Sequence, residues 1–366
     1  MPARNPPPQA QVRYDSRVDP HSIKPPRRPR RPLLRLAALA FLVPALANAE
    51  PWRPVSSPVE AALLAVAAVP GGGFVAVGEG GVIVTSTDGE SWQTANSPTP
   101  TTLRGVACGP ETCVAVGDDG LVLTSGDRKT WVLSDSSTAG RLNAVTWTGQ
   151  RFVAVGAAGG EVLSGAILSS HDGRTWSDHT PANLRPLYGV AADGSHLVAV
   201  GWTGALAESS DGGVTWTVSS LGDVLQGCWF MLRPSFLYAV AGRAGRWVAV
   251  GLVVGDQYPG AGVSLALQRA GEAWSCRVTE LPPLQFQFRA VAATLTSFVA
   301  AGLGGIAESR DGLAWEPQLA LPSPRLLGIA VGPSRWVAVG EQGALFVREA
   351  PLRRPLGRMV RQSSDR

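Results

Sequence analysis

Charged and aromatic side chains that could bind a ligand recur at fixed places beside a repeated pentapeptide, an apolar residue followed by Val-Ala-(Val/Ala)-Gly. The side chains that directly follow copies of this pentapeptide include Glu79, Asp118, Asp119, Trp202 and Glu341. A second column, at the start of the apolar run before each pentapeptide, includes Arg104, Tyr188, Tyr238 and Arg289. Carboxylates and guanidinium groups make charge-assisted hydrogen bonds, and tyrosines offer a ring and a hydroxyl. These nine residues are therefore the candidate binding face for a peptide or a glycan.

Signatures of catalysis and of metal binding are missing from the sequence. The histidines His21, His171, His179 and His196 are too scattered to form a ligand cluster. No phosphate loop, no Gly-x-Ser-x-Gly nucleophile turn and no His-Glu-x-x-His motif occurs. The sequence therefore predicts no metal and no cofactor. An enzymatic role is left open, and a non-catalytic one is favoured.

The repeat that positions these residues indicates a β-propeller. The closing glycines of the pentapeptide stand roughly 40 to 50 residues apart, which is the period of a propeller blade. These glycines are Gly78, Gly117, Gly156, Gly201, Gly251, Gly302 and Gly340. Most units hold four short runs separated by glycine and Asp-Gly turns, as the antiparallel strands of one blade would be. We predict an all-β fold of seven four-stranded blades.

The last unit lacks a fourth run and its tryptophan. Pro51–Val55, ahead of the first unit, has the character of a fourth strand. We therefore predict that this N-terminal strand completes the last blade, which would remove a free sheet edge at the closure. In such a ring, the loops after the pentapeptides and the starts of the first runs lie at the same end. The two sets of candidate residues are thus expected to share one face.

The charges divide the chain into three parts. The net charge of +4 comes from the two ends, because residues 50–350 carry more acids than bases. The basic pI therefore does not indicate nucleic-acid binding. We predict a disordered leader with a signal peptide over residues 1–49, the propeller over residues 50–350, and a basic disordered tail over residues 351–366.

Residues 1–49 have the pattern of an export segment. The basic run Arg27–Arg31 precedes the apolar stretch Leu33–Leu46, and Ala47–Ala49 is a small-x-small cleavage signal. The apolar stretch is shorter than a transmembrane helix requires and is interrupted by the charged Arg35, so it is not expected to span a membrane. We predict cleavage after Ala49 and a periplasmic or secreted, monomeric protein that is not integral to the membrane. The basic run fits both the ordinary secretory route and the twin-arginine route.

An even number of cysteines fits an oxidising compartment. Cys108 and Cys113 flank a short turn, so they could bridge one hairpin of the second repeat. Cys228 and Cys276 would then form a second pair. The alternative is that all four are buried free thiols.

A turn before the fourth run carries a family resemblance. Ser209–Trp216 resembles the Asp-box, Ser-x-Asp-x-Gly-x-Thr-Trp, of bacterial neuraminidase (BNR) repeats. Related turns hold the acids Asp88, Asp127, Asp172, Asp211 and Asp311. The order Leu-x-x-Val, Val-Ala-Val-Gly, Asp-Gly, Trp is also similar to the propellers of the photosystem II assembly and stability factor family. Because an aspartate and a glycine can complete such a turn by themselves, these acids are expected to be structural.

The resemblance implies two classes of function. Assembly or stability of another complex, by a non-catalytic propeller scaffold that binds proteins in the cell envelope, is the favoured one. The alternative is a secreted glycan-binding protein or a sialidase-like glycoside hydrolase. Sialidases need three arginines, a tyrosine nucleophile and separate acids. Arg104, Arg289 and Tyr238 could imitate part of that set, but their spacing does not support it.

Overall fold

The computed structural model describes residues 51–351, except residues 137, 139, 160–163, 221–234, 254–260, 268–273, 279 and 282–283. The predicted leader, the cleavage after Ala49 and the tail beyond Pro351 lie outside the described residues. Cys228 also lies outside them, so its pairing with Cys276 stays a prediction.

The described chain is built from short β-strands. The first part contains β1 (Arg53–Pro54), β2 (Leu63–Ala68), β3 (Phe74–Gly78), β4 (Ile83–Ser86), β5 (Trp92–Thr94), β6 (Leu103–Cys108), β7 (Cys113–Gly117), β8 (Val122–Ser125), β9 (Val132–Ser134), β10 (Leu142–Trp147), β11 (Phe152–Ala157), β12 (Gly165–Ser170) and β13 (Ser177–Asp178). The middle part contains β14 (Leu187–Asp193), β15 (His196–Gly201), β16 (Ala205–Ser209), β17 (Thr217–Ser220), β18 (Ser235–Arg243), β19 (Arg246–Val253), β20 (Ala261–Leu267) and β21 (Ser275–Val278). The last part contains β22 (Glu280–Leu281), β23 (Leu284–Gln285), β24 (Gln287–Ala293), β25 (Phe298–Ser309), β26 (Glu316–Leu321), β27 (Leu326–Val331), β28 (Arg335–Gly340) and β29 (Leu345–Glu349).

The strands form antiparallel sheets that follow the sequence repeats. Five sheets take four consecutive strands each, from β2–β5 to β18–β21, and a sixth has the order β1-β29-β28-β27. In that sixth sheet, Arg53 pairs with Val347 and Pro54 pairs with Phe346. The strands β22 and β23 form a small separate hairpin.

The prediction of seven four-stranded sheets is wrong in its count, because the described residues form six four-stranded sheets and the repeat around Gly302 forms the three-stranded sheet β24-β25-β26. Here β25 covers two strand positions: its first part pairs with β24 and its second part pairs with β26. Gly304 and Gly305, at φ 94° and 121°, stand where the two parts meet. The Ser297 hydroxyl donates to the Glu308 carboxylate at 2.5 Å, so the two parts fold back on one another. The tight glycine turn leaves no loop to separate them.

The first strands of the repeats pack around a common centre. Each of β2, β6, β10, β14, β18, β24 and β27 contacts the first strand of the sheet before and after it, and β27 contacts β2. The pentapeptide strands are buried along their whole length, as in β3 and β7. The core therefore lies between neighbouring sheets, where small apolar residues allow close packing. Among the described residues, no helix is long and apolar enough to cross a membrane.

Candidate functional site

Every first strand contains a β-bulge at the same position. Each ladder shifts register after a leucine or phenylalanine near the start of the first strand, so the next residue has no partner on the second strand. The seven bulged residues are Leu64, Arg104, Asn143, Tyr188, Tyr238, Arg289 and Leu327. All seven line one cavity of about 320 Å³ between the first strands. Because a bulge re-aims a side chain, the repeated bulge turns one column of the sequence into a ring around this cavity, here called the mouth.

The closing glycine of each pentapeptide makes room for this bulge. Gly117 lies against the backbone carbonyl of Thr102, and a Cβ on Gly117 would collide with that oxygen. Gly78 and Gly340 have the same relation to Ala62 and Arg325. Gly117 has φ −160°, which is ordinary extended backbone. The glycine is thus required for close approach and not for an unusual φ.

The loops after the pentapeptides lie at the same end as the bulges. The backbone N–H of Asp118 donates to the carbonyl of Thr102, next to the start of β6, at 3.1 Å. Glu79, Trp202 and Glu341 make equivalent bonds to the residues before β2, β14 and β27. The structure therefore places both predicted sets of candidate residues at the mouth end of the sheets.

Asp118 is held by two arginines on neighbouring sheets. Arg104 binds both of its carboxylate oxygens, at 2.5 Å and 2.9 Å, and Nε of Arg141 lies 3.0 Å away. The hydrogen bond from Arg104 is the main cause that lowers the pKa of Asp118, and the charges of Arg104 and Arg141 act in the same direction against burial. Asp118 is therefore ionised at neutral pH and is engaged within the protein.

The other acids of the mouth are more open to solvent. Glu341 lies 3.7 Å from Arg325 of the same sheet and accepts a bond from the Arg325 backbone N–H. Glu79 and Asp119 are exposed. The sheets that begin with β27, β2 and β6 thus carry the acidic side of the mouth.

The opposite side of the mouth is aromatic. Tyr188, Phe236 and Tyr238, here called the aromatic cluster, have ring centroids 6.1 to 6.3 Å apart. Phe236 and Tyr238 are nearly parallel, with 6° between their planes. Burial is the main cause that raises the pKa of Tyr188, and Tyr238 adds to it. All three rings are half-buried, so part of each remains open to a ligand.

Arg289 is attached to the aromatic cluster from the next sheet. Its guanidinium carbon lies 3.8 Å from the ring centre of Tyr238, a cation–π contact. Trp202 forms a single bridge with Phe236 and lies under the guanidinium of Arg185, at 5.7 Å. Asn143, between the two sides, donates its amide to the carbonyl of Leu187 at 2.7 Å.

The sequence analysis missed several residues that lie beside the mouth. Arg141, Phe236 and Arg325 occupy one equivalent position, directly before the first leucine of a first strand. Arg185 lies two residues before β14. The signal that could have found Phe236 was the alternation Phe236-Leu237-Tyr238, which puts two rings on one side of a strand.

The five Ser-x-Asp turns lie at the opposite ends of the sheets, between the third and fourth strands. In each turn the serine hydroxyl donates to the aspartate, and one carboxylate oxygen accepts two backbone N–H groups. The turns are those of Asp88, Asp127, Asp172, Asp211 and Asp311. In four of them the tryptophan Nε1 donates to the glycine carbonyl of the same turn. Their carboxylates are thus occupied by their own turns.

The second repeat has an unusual version of this turn. Arg128 takes the place of the glycine and adopts φ 65°. Nε1 of the buried Trp131 has no hydrogen-bond partner among the described residues. The same repeat contains the disulfide Cys108–Cys113, which confirms that predicted pair. In the described part of the chain, no three His, Cys, Asp or Glu side chains are grouped closely enough to hold a metal ion.

Comparisons with known proteins identify the fold. A structure of YCF48 bound to D1 peptide is similar over 87% of this chain and 100% of its own, with 18% identity and a TM-score of 0.62. YCF48 from Cyanidioschyzon merolae is similar over 81% and 98%, with 17% identity and a TM-score of 0.61. The WD40 β-propeller domain of Doa1 is similar over 82% and 96%, with 8% identity and a TM-score of 0.61. The chain is a β-propeller.

At these identities the likeness shows the propeller fold alone. No family model matches the chain, and no curated protein matches it.

Proposed function

We propose that this protein is a non-catalytic scaffold that binds a protein partner at the mouth of the propeller. The observation that carries the proposal is the repeated bulge, which gathers one side chain from each repeat around a single cavity. The bulged residues have no partner on the second strand, and their side chains line this cavity. The acidic side and the aromatic, cationic side give the mouth two chemically different halves, as a surface that recognises one orientation of a partner would have.

The state of the charged groups favours binding over catalysis. A general acid needs a carboxyl group whose pKa is near the working pH. The pKa of Asp118 is instead lowered, and both of its oxygens are bound by Arg104. Arg104 is likewise bound to Asp118, so these two residues form a fixed ion pair at the mouth.

The comparisons suggest what kind of partner to expect. YCF48 was solved with a D1 peptide, so a propeller with the same fold binds a peptide. We infer that this chain also binds a segment of another protein, and that its role is the assembly or stability of a complex in the cell envelope.

We further propose the finer architecture and the location. The pairing of β1 with β29 and the contact of β27 with β2 support a seven-bladed ring closed by the N-terminal strand. The hydrogen bonds of the five turns support membership of the Asp-box repeats. Export to the periplasm or beyond, a leader over 1–49 and a basic tail over 351–366 rest on the sequence pattern.

Site-specific photo-crosslinking in cells tests the proposal. A photoreactive amino acid replaces Leu327 at the mouth in one strain, and Leu295 in another. Leu295 is 70% exposed and lies in the turn between β24 and β25, at the other end of its sheet. We expect a discrete crosslinked protein from the position of Leu327 and none from that of Leu295.

Loss of that crosslink when Arg289→Gln and Tyr238→Leu are added would place the partner at the aromatic side. If Leu327 and Leu295 yield the same crosslinks, or neither yields one, the scaffold proposal is wrong. Purified protein tested on fluorogenic sialosides then decides the glycosidase alternative.

A further inference from the structure

We propose that the mouth binds a proline-containing acidic segment of its partner, with a proline ring against the aromatic cluster and a carboxylate on Arg289. This inference rests on the proposed function and specifies the chemistry of the partner. It follows from the geometry of the aromatic cluster, the state of Arg289 and the distribution of hydrogen-bonding groups around the cavity.

The aromatic cluster offers a wall at the mouth, where Tyr188 and Tyr238 line the cavity and Phe236 packs against both rings. Tyr188, Phe236 and Tyr238 come from two neighbouring sheets and contact one another at 6.1 to 6.3 Å, so their rings support each other's position. Aromatic-lined grooves of this kind recognise polyproline II segments, which are already extended and lose little entropy on binding. Proline also has no backbone N–H that would need a partner.

Arg289 supplies a positive charge beside the wall. Its guanidinium carbon lies 3.8 Å from the ring centre of Tyr238, and a guanidinium in a cation–π contact can still donate hydrogen bonds through its N–H groups. Arg104, Arg141 and Arg325 each lie within 4 Å of a carboxylate of this chain. Within the described residues, no carboxylate is found that close to Arg289. A carboxylate from the partner would accept a charge-assisted hydrogen bond from the Arg289 guanidinium.

The hydrogen-bonding groups favour a peptide over a sugar. Next to the aromatic side, the amide of Asn143 already donates to the carbonyl of Leu187. The tyrosine hydroxyls and the guanidinium are the polar side-chain groups of Tyr188, Tyr238 and Arg289. A sugar ring brings several hydroxyls, and each one that finds none of these few partners would lose its water at a cost in free energy. A proline ring brings none.

Titration with synthetic peptides tests this inference. The probe is an acetylated and amidated peptide with a run of prolines on each side of one glutamate. One control has glutamine in place of the glutamate, and another has alanine in place of the prolines. Isothermal calorimetry is expected to show binding of the probe, about tenfold weaker binding of the glutamine peptide, and no binding of the alanine peptide.

A double-mutant cycle assigns the carboxylate to Arg289. The Arg289→Gln protein should bind the probe and its glutamine version with equal affinity. It should still bind both of them better than the alanine peptide. In Arg243→Gln, at the opposite end of β18, the tenfold preference should remain. Tyr238→Leu should weaken the binding of all the peptides. The comparison among the peptides uses the unsubstituted protein, so it does not depend on a variant that might misfold.

The inference is overturned if the probe does not bind, or if Arg289→Gln keeps the preference for glutamate. It is also overturned if a glucuronate oligosaccharide binds at the mouth and the probe does not. A mouth crosslink to a protein partner without binding of the probe would overturn this inference and leave the scaffold proposal standing.

Discussion

Gly117 and the carbonyl of Thr102 are in backbone contact, and a side chain on Gly117 would have to displace β6 at its bulge. The bulge puts Arg104 into the mouth, so this glycine links the fold to the candidate site. Gly117→Ala should therefore lower the free energy of unfolding by about 2 to 3 kcal/mol through strain. Urea unfolding of Gly117→Ala and of the unsubstituted protein measures this difference in the free energy of unfolding.

The matched control for that variant lies in the same repeat. Gly126 has only the carbonyl of Glu111 near its Cβ position, at 3.7 Å, which is an ordinary contact. Gly126→Ala should change stability by no more than about 0.5 kcal/mol. Equal effects of the two substitutions would contradict the close-approach explanation.

Arg128→Gly should make the protein more stable. Arg128 has φ 65°, a region that costs a residue with a side chain about 1 kcal/mol or more. Glycine adopts this φ freely, and the backbone N–H of residue 128 can still donate to Ser125. We expect a net gain of about 0.5 kcal/mol after the entropy of the unfolded glycine is included. Thermal unfolding measures the melting temperatures of Arg128→Gly, Arg128→Ala and the unsubstituted protein. If Arg128→Gly is less stable than the unsubstituted protein, the side chain of Arg128 contributes to the fold.

Asp127 should make stability depend on acid pH. The backbone N–H groups of Thr130 and Lys129, with the Ser125 hydroxyl, lower the pKa of Asp127 to about 2. A group whose pKa is lower in the folded state stabilises the fold above its unfolded pKa of about 3.9 and loses that effect as the pH falls through the folded pKa. The melting temperature of the protein should therefore exceed that of Asp127→Asn at pH above about 4, and the difference should shrink towards pH 2.

Melting curves recorded between these pH values give the test. Asp119→Asn is the control, since the structure gives Asp119 no hydrogen-bonded turn of this kind. A difference between Asp127→Asn and the unsubstituted protein that does not change with pH would mean that the charge of Asp127 is not what holds the turn.

The disulfide Cys108–Cys113 should contribute modestly to stability. It closes a loop with a sequence separation of 5. Restriction of so short a loop in the unfolded chain corresponds to about 2 kcal/mol in the chain-entropy treatment. The double variant Cys108→Ala/Cys113→Ala should lose about this much free energy of unfolding in urea, relative to the oxidised unsubstituted protein. An unchanged unfolding midpoint in the double variant would show that the bond does not stabilise the fold.

The sequence predicted the repeat, the strand order and the two columns that meet at the mouth, because these follow from the spacing of Val-Ala-Val-Gly and the turn residues. It could not predict the ion pairs of Asp118, since Arg141 reaches it from another sheet and its side-chain direction depends on the twist between sheets. The predicted number of four-stranded sheets was wrong at Gly304-Gly305. The turn there is too tight to separate two strands, so β25 is continuous through it. The bulge itself gives no signal in a single strand and becomes visible only when the ladders are compared.

Arg348 and Glu308 form an ion pair between neighbouring sheets, and this pair should be costly to break. Arg348 is 6% exposed, and Nη1 lies 3.3 Å from the Glu308 carboxylate and 3.4 Å from the Gln318 amide oxygen. Glu308→Gln would leave a buried guanidinium without its counter-charge, and we expect it to lower the free energy of unfolding by about 3 kcal/mol. The double variant Arg348→Met/Glu308→Leu should be closer in stability to the unsubstituted protein than Arg348→Met or Glu308→Leu alone, because it leaves no charge to desolvate. A double-mutant cycle in urea measures the coupling, and additive effects would show that the two groups do not interact.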